Sequence, residues 1–350
     1  MLLSQSERAT CYGGQDAEWN NAIRDACPSL QVGCVPPPWA GNPHIQNVLT
    51  LVRDRSAPPM LWDSDEFIPL DDGGHVSIQW SGLAESAGTP VIVLMHTICG
   101  SSDALRRLVA DLRASLGWVV AGVNRRGHTG RPLGAAQINT MGSTADLRRQ
   151  IERIRVRRPG APLYGVGISA GSGLLVRYLG EEGEASAFDA AVAVCPAYDV
   201  PAAFGNVDPR YDRYLTRRLL GFFLGANRSV LGRVPGFERC MASRTILEFH
   251  ERLYPLAGYE SFEAYIDGSN PMRVATNVTT PTLVINAADD PVCVQKNLDQ
   301  HLDAMQALPR MILTLTRHGS HCGFFEGPGA RSSWLTTAIS EFLPSAAVRA

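Results

Sequence analysis

Apolar runs and amphipathic stretches alternate along most of this 350-residue chain. The runs TPVIVLMHT (89–97), LYGVGIS (163–169) and TPTLVINAADD (280–290) lack polar alternation, which is typical of strands buried on both faces. The segments ALRRLVADLRASLG (104–117) and STADLRRQIERIRVRRPG (143–160) instead repeat apolar residues at helical spacing. Strands that alternate with helices in this way predict an α/β fold with a mostly parallel sheet and helices on both faces.

Further runs complete the predicted sheet. Three of them are WVVAGVNRRG (118–127), AFDAAVAVCPAYD (187–199) and RMILTLTRHGSH (310–321). Earlier in the chain, DEFIPLDDGGHVSIQW (65–80) has two alternating runs on either side of the turn sequence DDGG, which is the signature of a hairpin. We expect this hairpin to add an antiparallel edge to the sheet.

The pattern also predicts how the chain is divided. Residues 1–60 are rich in proline, cysteine and asparagine, and only DAEWNNAIRDAC (16–27) has helical character, so they are predicted to form an arm packed on the core. Residues 61–350 are predicted to form the α/β domain. Within it, the rhythm of strands and helices stops between residues 200 and 278, which predicts a lid inserted between two core strands.

Composition excludes several classes of protein. A formal net charge of −2 lacks the basic excess of a nucleic-acid-binding domain. No apolar run is long enough to span a membrane, and the start MLLSQSERATCYGG lacks the features of a secretory signal. The eight cysteines show no paired metal-ligand spacing, so we expect reduced cysteines, a cytoplasmic location, no metal and no cofactor. Cys11, Cys27 and Cys34 would pair only in a secreted protein. Peripheral membrane contact and the oligomeric state are left open.

The first candidate for chemistry is a serine between two glycines. Gly167-Ile168-Ser169-Ala170-Gly171 matches G-x-S-x-G and joins a predicted strand to a predicted helix. A nucleophile elbow requires that context, because the tight turn raises the serine hydroxyl above the carboxyl edge of the sheet. The alternative is a flexible Gly/Ser turn without chemistry, which the flanking strand and helix disfavour. Ser169 is therefore predicted to be a nucleophile.

A serine hydroxyl needs a base to take its proton, and in this arrangement a histidine after the last strand is expected. His321, in RHGSHCGFFEG, lies beyond the strand between Gly319 and Gly323, so we expect it to reach back to the serine. His318 lies three residues earlier and is the competing candidate. His318, His321 and Cys322 would alternatively be metal ligands, but the sequence offers no second ligand cluster.

The acid that orients the histidine is expected after the preceding strand, in INAADDP. Asp290 is preferred because it precedes Pro291, whose fixed φ stiffens the loop. Asp289 would then be a solvated or turn-capping residue. Asp199, after the strand at 187–199, is a further candidate, since a triad is defined by geometry rather than by position.

Two backbone N–H groups are expected to form an oxyanion hole. One belongs to Ala170, the residue after the nucleophile, and the other to the loop HTICG (96–100) that follows a buried strand. Ile98 is the predicted second donor, and His96 is predicted to order this loop. Loss of one such donor typically costs on the order of 10²–10³ in rate.

Longer motifs occur in order from about residue 35 to residue 327: PPPWAGNPHIQNVL, VNRRGHTG, GVGISAGSGLLVRYLGE, AVAVCPAYD, EFHERLYPLAGYESFEAYIDGSNP, INAADDP and RHGSHCGFFEG. As a set, they resemble the YheT-like, embryogenesis-associated esterase branch of the α/β-hydrolase superfamily. The resemblance implies the α/β-hydrolase fold with a helical lid. It also implies a triad of Ser169, Asp290 and His321, the same residues that their positions after the strands favour.

The resemblance further implies hydrolysis of carboxylic esters with lipid-like or short-to-medium acyl groups. Lipid-acting eukaryotic relatives usually carry an N-terminal membrane anchor, which we do not expect here, and this expectation argues against a membrane phospholipid as substrate. Thr97 is a second departure, because the family usually has glycine there. A β-branched residue adopts positive φ only at a cost, so we expect the oxyanion loop to be reshaped.

The sequence thus predicts a serine esterase that acts on a small-molecule ester through an acyl-serine intermediate. One alternative is an acyltransferase that moves the acyl group to an alcohol, as some fungal relatives do. The other is a non-hydrolytic scaffold, such as a cyclase, a lyase or a ligand-binding protein, which Thr97 keeps open. Aromatic residues of the lid are expected to line an acyl pocket together, although core packing is preferred for each alone: Phe222, Phe223, Tyr254, Tyr259 and Tyr265.

Overall fold

The helices and strands follow the alternation of apolar and amphipathic segments. The structure is a computed structural model that describes residues 9–56 and 62–348. The strands are β1 (Thr10–Gly13), β2 (Ser64–Pro69), β3 (His75–Ser81), β4 (Val91–Met95), β5 (Val119–Asn124), β6 (Leu163–Ile168), β7 (Ala190–Val194), β8 (Thr282–Ala287), β9 (Met311–Thr316), β10 (Phe325–Glu326) and β11 (Ser332–Ser333).

The α-helices lie mostly between these strands. They are α1 (Ala17–Ala26), α2 (Pro28–Val32), α3 (Pro43–Ser56), α4 (Arg106–Leu116), α5 (Thr144–Arg157), α6 (Ala170–Glu182), α7 (Val200–Gly205), α8 (Pro209–Leu219), α9 (Arg228–Leu231), α10 (Phe237–Met241), α11 (Ile246–Arg252), α12 (Phe262–Ser269), α13 (Gln295–Asp299), α14 (Leu302–Gln306) and α15 (Trp334–Val348). Within residues 9–56 and 62–348, no helix combines the length and the apolar character needed to cross a bilayer.

Nine strands form one sheet in the order β1-β9-β8-β7-β6-β4-β5-β3-β2. The strands from β9 to β5 run parallel to their neighbours, and the hairpin β2–β3 pairs antiparallel at one edge. The predicted parallel sheet and its antiparallel hairpin are thus confirmed. The opposite edge was not predicted: β1, from the segment interpreted as an arm, pairs antiparallel with β9. Residues 9–56 therefore contribute a strand to the sheet as well as helices that pack beside it.

Two apolar clusters cover the two faces of the sheet. Neighbouring residues of a strand point to opposite faces, so Ile92 packs with α1, α4 and α15, whereas Val93 packs with α5 and α6. Both residues are completely buried. This two-sided burial explains why the strand sequences show no polar alternation.

The segment predicted as a lid contains α7 to α12 and lies between β7 and β8. It has an apolar cluster of its own, in which Leu231, Phe237 and Leu256 are almost completely buried. The five aromatic candidates for an acyl pocket are members of this cluster or pack against it. The domain boundaries at residue 60 and at residues 200 and 278 stay predictions.

A buried ion pair anchors the loop after β5. Arg126 donates from Nε and Nη2 to Asp146 Oδ2 and Oδ1 at 2.7 and 2.8 Å, and from Nη1 to Asp72 Oδ2 at 2.6 Å. Arg126 and Asp146 are both buried, so the paired geometry is only weakly screened by solvent. These contacts hold the loop between α5 and the β2–β3 hairpin.

Replacing this arginine is expected to destabilise the fold. Arg126→Met should lower the free energy of unfolding by about 3–5 kcal/mol, because it leaves the buried Asp146 carboxylate without its counter-charge. Urea denaturation measures the change. Arg148→Met is the control, since Arg148 pairs with Glu181 and Glu182 nearer the surface and should cost about 0–1 kcal/mol. Equal losses of unfolding free energy for the two variants would contradict the view that the buried Arg126 ion pair anchors the loop.

Candidate active site

Ser169 lies in the tight turn between β6 and α6. Its φ of 54° and ψ of −118° form a strained backbone conformation for a residue with a side chain. The neighbouring glycines permit the turn, because a Cβ on Gly167 would lie 2.6 Å from Gly171 O and one on Gly171 would lie 2.3 Å from Met95 O. This is the strand–turn–helix geometry that the G-x-S-x-G motif predicts.

The structure brings the three predicted triad residues together. Ser169 Oγ lies 2.9 Å from His321 Nε2, and His321 Nδ1 lies 2.9 Å from Asp290 Oδ2. The other carboxylate oxygen of Asp290 accepts the backbone N–H groups of Val292 and Cys293 at 2.7 and 2.9 Å. Ser169 is 8% exposed and Asp290 3% exposed, so the contacts lie in a region from which most water is excluded.

The electrostatics of the pair suit proton transfer. Burial would raise the pKa of the Asp290 carboxyl, but His321 and the two backbone N–H groups outweigh burial and hold that pKa below its ordinary value. Burial would likewise lower the pKa of His321, and the Asp290 carboxylate outweighs it, so the pKa of His321 lies well above its ordinary value. Asp290 therefore stabilises the charged imidazolium that forms when His321 takes a proton.

The competing candidates lie elsewhere. His318 Nδ1 is 3.5 Å from Asp289 Oδ2, and Asp289 Oδ1 accepts the backbone N–H of Ser320 at 2.8 Å. Asp289 thus shapes the histidine loop, in keeping with the turn-capping alternative considered for it. Asp199 caps the N-terminus of α7 and accepts Asn270 Nδ2 at 2.7 Å. None of these side chains contacts the Ser169 hydroxyl.

Two side chains fix the loop after β4 through hydrogen bonds to a backbone carbonyl oxygen. Thr97 O accepts His96 Nδ1 at 2.8 Å and Arg125 Nη2 at 2.6 Å. The Thr97–Ile98 peptide is planar and trans, so its N–H points in the opposite direction to its C=O and hence away from Arg125. Within the described part of the chain, the backbone N–H groups of Ile98 and Ala170 donate to no other group, and both residues line the cavity that contains Ser169.

Thr97 has a backbone conformation that is accessible to a β-branched residue. Thr97 is not among the non-glycine residues with positive φ. A β-branched residue therefore avoids positive φ here, in keeping with the cost expected of it, and the expectation of a reshaped loop stays a prediction. The Thr97 side chain fills the space beside Gly100, where a Cβ would lie 2.9 Å from Thr97 Oγ1.

Sequence reasoning missed two residues behind this loop. Arg125 is 4% exposed and donates a hydrogen bond to Thr97 O, while His128 Nδ1 donates to Gly100 O. The available signal was their position, since both follow β5 at the carboxyl edge of the sheet, where ligands of open α/β folds bind. VNRRGHTG was instead used only as a family motif.

A cavity of about 320 Å³ lies over Ser169 and His321. Its walls come from α3, α4, the loop after β4 and the lid, and most of the lining side chains are apolar. None of the five predicted lid aromatics lines it. The lid instead contributes Phe204, Tyr211, Tyr214 and Leu215.

No disulfide joins the eight cysteines within residues 9–56 and 62–348. Three of them surround the histidine. The atoms of Cys195, Cys322 and His321 that could bind a metal ion lie within 4.8 Å of one another. The same holds for those of Asp290, Cys293 and His321. Both ring nitrogens of His321 already face Ser169 and Asp290, so a metal ion here would break the triad contacts. Burial raises the pKa of Cys293 to about 11, which keeps this thiol protonated at neutral pH.

Comparison with known proteins identifies relatives of this chain. Human protein ABHD15 is 30% identical over 315 residues, which cover 85% of this chain and 65% of that protein. The yeast medium-chain fatty acid ethyl ester synthase/esterase 2 is 28% identical over 283 residues, covering 72% of this chain and 61% of its own. YheT of Escherichia coli is 27% identical over 313 residues, covering 86% and 90%. The chain thus spans slightly less than two thirds of the first two relatives.

Solved structures and a family model agree on the fold. The carboxylesterase EstE1, cloned from a metagenomic library, superposes with a TM-score of 0.54 at 17% identity over 87% of this chain and 98% of that one. The family model described as serine aminopeptidase, S33, matches residues 87–328. The predicted α/β-hydrolase fold and the resemblance to YheT-like proteins are confirmed. The chain belongs to the serine aminopeptidase S33 family of α/β-hydrolases.

Proposed function

We propose that this protein is a serine hydrolase that cleaves carboxylic esters through an acyl-serine intermediate. The observation that carries the proposal is the hydrogen-bonded chain from Ser169 through His321 to Asp290, at the floor of an apolar cavity. The name of the yeast relative, a synthase and esterase of fatty acid esters, supports an ester substrate.

The charges around the cavity favour an ester over a peptide with a free N-terminus. Arg107 and Arg218 line the cavity, whereas Asp111, an acid in its lining, lies 3.5 Å from Arg107. An aminopeptidase needs a carboxylate free to bind the ammonium group of its substrate. A paired acid beside two arginines is unsuited to that task.

The mechanism follows from the contacts. Ser169 Oγ attacks the ester carbonyl carbon while His321 Nε2 takes its proton, and Asp290 stabilises the resulting imidazolium. The N–H groups of Ile98 and Ala170 donate to the oxyanion of the tetrahedral intermediate. His321 then gives its proton to the departing alkoxide, which leaves as the alcohol. Water attacks the acyl-enzyme with His321 again as base, and the acid is released.

A panel of 4-nitrophenyl esters from acetate to palmitate tests the proposed function. We expect kcat/KM to rise from acetate towards medium acyl chains by up to about fourfold per methylene, because each methylene leaves water for the apolar cavity. The longest chain should lose this advantage once it outgrows the cavity. Lack of turnover for every ester would contradict ester hydrolysis and would favour the non-hydrolytic scaffold.

Acyl transfer to an alcohol is the second candidate, since the yeast relative is named as a synthase as well as an esterase. Both reactions share the acyl-enzyme and differ in the nucleophile that attacks it. Chromatography of the products formed with ethanol present separates them. Free acid as the main product supports the hydrolase, and ethyl ester as the main product supports the transferase.

The cytoplasmic location stays a prediction.

The pH profile tests the role of Asp290. His321 must be neutral to take a proton, so kcat/KM should rise with pH around a midpoint above the ordinary histidine value of about 6.5. Asp290→Asn removes the charge that raises the pKa of His321, so the midpoint should move to lower pH. The same variant should lower kcat by about 10⁴-fold, because the imidazole loses its fixed tautomer.

Asp289→Asn is the matched control for this profile. Asp289 follows the same strand but accepts the N–H of Ser320 and does not touch His321. Its variant should leave the midpoint near that of the wild type. A shift with Asp289→Asn and none with Asp290→Asn would reverse the assignment of the acid.

A further inference from the structure

A second, smaller cavity lies between the lid and the sheet, beside the oxyanion loop. Its volume is about 40 Å³, and it shares the lining residues Ile98, Met141, Ala170 and Phe204 with the cavity over Ser169. Most of its remaining lining is apolar and comes from the lid. A polar ligand placed here would lie next to the two predicted oxyanion donors.

One wall of this small cavity is formed by Arg125, a buried cation without a counter-charge. Its Nη2 donates to Thr97 O and more weakly to His96 O, at 2.6 and 3.4 Å, and its Nε has no hydrogen-bond partner among residues 9–56 and 62–348. No carboxylate in that part of the chain pairs with it, whereas the adjacent Arg126 pairs with two. An unpaired buried guanidinium is costly unless a ligand supplies the missing charge.

The groups around Arg125 do not neutralise it. Burial and the charge of Arg125 lower the pKa values of His96 and His128 well below the ordinary value, so both rings are neutral. Burial raises the pKa of Cys99 to about 11, which leaves that thiol protonated. Burial lowers the pKa of Arg125 itself only to about 10, so its positive charge persists at neutral pH.

His250 lines the same cavity and has a ring nitrogen without a hydrogen-bond partner among the described residues. The ring is 7% exposed, stacks on Phe204 at 3.9 Å between ring centroids, and has Nδ1 2.6 Å from Tyr265 Oη. Burial lowers the pKa of His250 to about 3, so the ring is neutral. When the Tyr265 hydroxyl donates to Nδ1, the ring proton resides on Nε2, which has no partner in the described part of the chain.

We propose that this small cavity binds an anionic group of the substrate, a carboxylate or a phosphate, between Arg125 and His250. The proposal rests on the proposed function and narrows its substrate to an ester that carries a negative charge close to the reacting carbonyl. Arg125 Nε is a donor, and so is His250 Nε2 when the Tyr265 hydroxyl donates to Nδ1, so the two groups then complement acceptor oxygens and negative charge. The small volume admits such a head group, and the larger cavity receives the apolar remainder of the substrate.

Binding can be measured without turnover. In the Ser169→Ala variant, isothermal titration calorimetry with glutarate and with inorganic phosphate is expected to show one site for at least one of the two anions. His250→Phe in the same background should weaken that binding by about 10- to 100-fold, since one hydrogen bond to a charged group is lost. Binding of one anion alone would identify which head group the cavity accepts.

A kinetic comparison tests the same site in the active enzyme. The ratio of kcat/KM for the 4-nitrophenyl monoester of glutaric acid to kcat/KM for 4-nitrophenyl pentanoate isolates the effect of the charge. Arg125→Met and His250→Phe should each lower this ratio by about 10- to 100-fold. His250→Phe keeps a ring against Phe204 and leaves the oxyanion loop untouched, so it remains informative if Arg125→Met fails to fold.

Two other arginines serve as controls. Arg217→Met removes an exposed charge from α8 outside both cavities and should leave the ratio unchanged. Arg218→Met removes a charge that lines the larger cavity, and a fall in the ratio with this variant alone would assign charge preference to the larger cavity. No anion binding and a ratio unaffected by Arg125→Met and His250→Phe would show that the small cavity holds only water and overturn the proposal. Failure of the ester hydrolysis proposal is separate, because the calorimetric readout needs no turnover.

Discussion

Ser169→Ala is expected to lower kcat for 4-nitrophenyl ester hydrolysis by about 10⁴- to 10⁶-fold, the range typical for removal of a serine nucleophile. The methyl group of alanine cannot form the acyl-enzyme. His321 Nε2 also loses the Ser169 hydroxyl that lies 2.9 Å away and that it would deprotonate. The residual rate would come from the oxyanion donors and from substrate binding. Steady-state kinetics on purified variants measure the loss.

Ser172→Ala is the matched control for the nucleophile. Ser172 lies in the first turn of α6, is completely buried, and donates its hydroxyl to Ser169 O rather than facing the cavity. Its removal should cost about tenfold or less, because only one neutral hydrogen bond is lost. A larger loss for Ser172→Ala than for Ser169→Ala would contradict the choice of nucleophile.

The histidine pair offers the second large effect. His321→Ala should lower kcat by about 10⁴- to 10⁶-fold, because Ser169 loses the base that takes its proton. His318→Ala should retain most of the activity, since His318 faces Asp289 and lies outside the residues that line the cavity. Both variants are assayed with the same 4-nitrophenyl ester at a pH above the acid limb.

Circular dichroism of the two histidine variants controls for folding, because both positions lie in one loop after β9. Loss of activity in His318→Ala with retention in His321→Ala would overturn the assignment of the base. Equal losses with intact spectra would indicate that His318 positions the loop through Asp289, which holds the N–H of Ser320.

The fold was predictable because strands that are buried on both faces consist of uninterrupted apolar residues. Val91 to Met95 are buried on both faces, and the flanking helices repeat apolar residues on one side only. β1 was missed because four residues, Thr10–Gly13, are too short to display a period, and their pairing with β9 joins positions about 300 residues apart. Such an edge strand depends on long-range contacts that local patterns do not contain.

The candidate triad was predictable in outline, because in this fold the nucleophile, the acid and the histidine follow the ends of strands, in that order along the chain. The choice between Asp289 and Asp290 was less determined, since both follow β8 and either carboxylate could have faced the histidine. The loop geometry separates them: Asp290 receives the N–H groups of Val292 and Cys293 on one oxygen and His321 on the other. The catalytic roles themselves stay predictions.

The surroundings of the site could not be predicted from local patterns. Arg125 differs from the neighbouring Arg126 only in what the fold places beside it: two carboxylates for Arg126, and carbonyl oxygens and an apolar cavity for Arg125. The five lid aromatics are absent from the lining of the larger cavity for the same reason, since the lid buries them in or against its own cluster, and only Phe223 and Tyr265 line the small cavity. Which apolar side chains face a cavity and which face each other depends on helix packing that a single sequence does not specify.

Labelling with a fluorophosphonate probe tests the central claim most directly, because the probe phosphonylates an activated serine and needs no assumption about the substrate. Intact mass spectrometry followed by peptide mapping should show one adduct on the wild-type protein, located on Ser169, and none on Ser169→Ala. The His321→Ala protein should label far more slowly. An unlabelled wild-type protein, or an adduct that persists in Ser169→Ala, would contradict the proposal that Ser169 is a catalytic nucleophile.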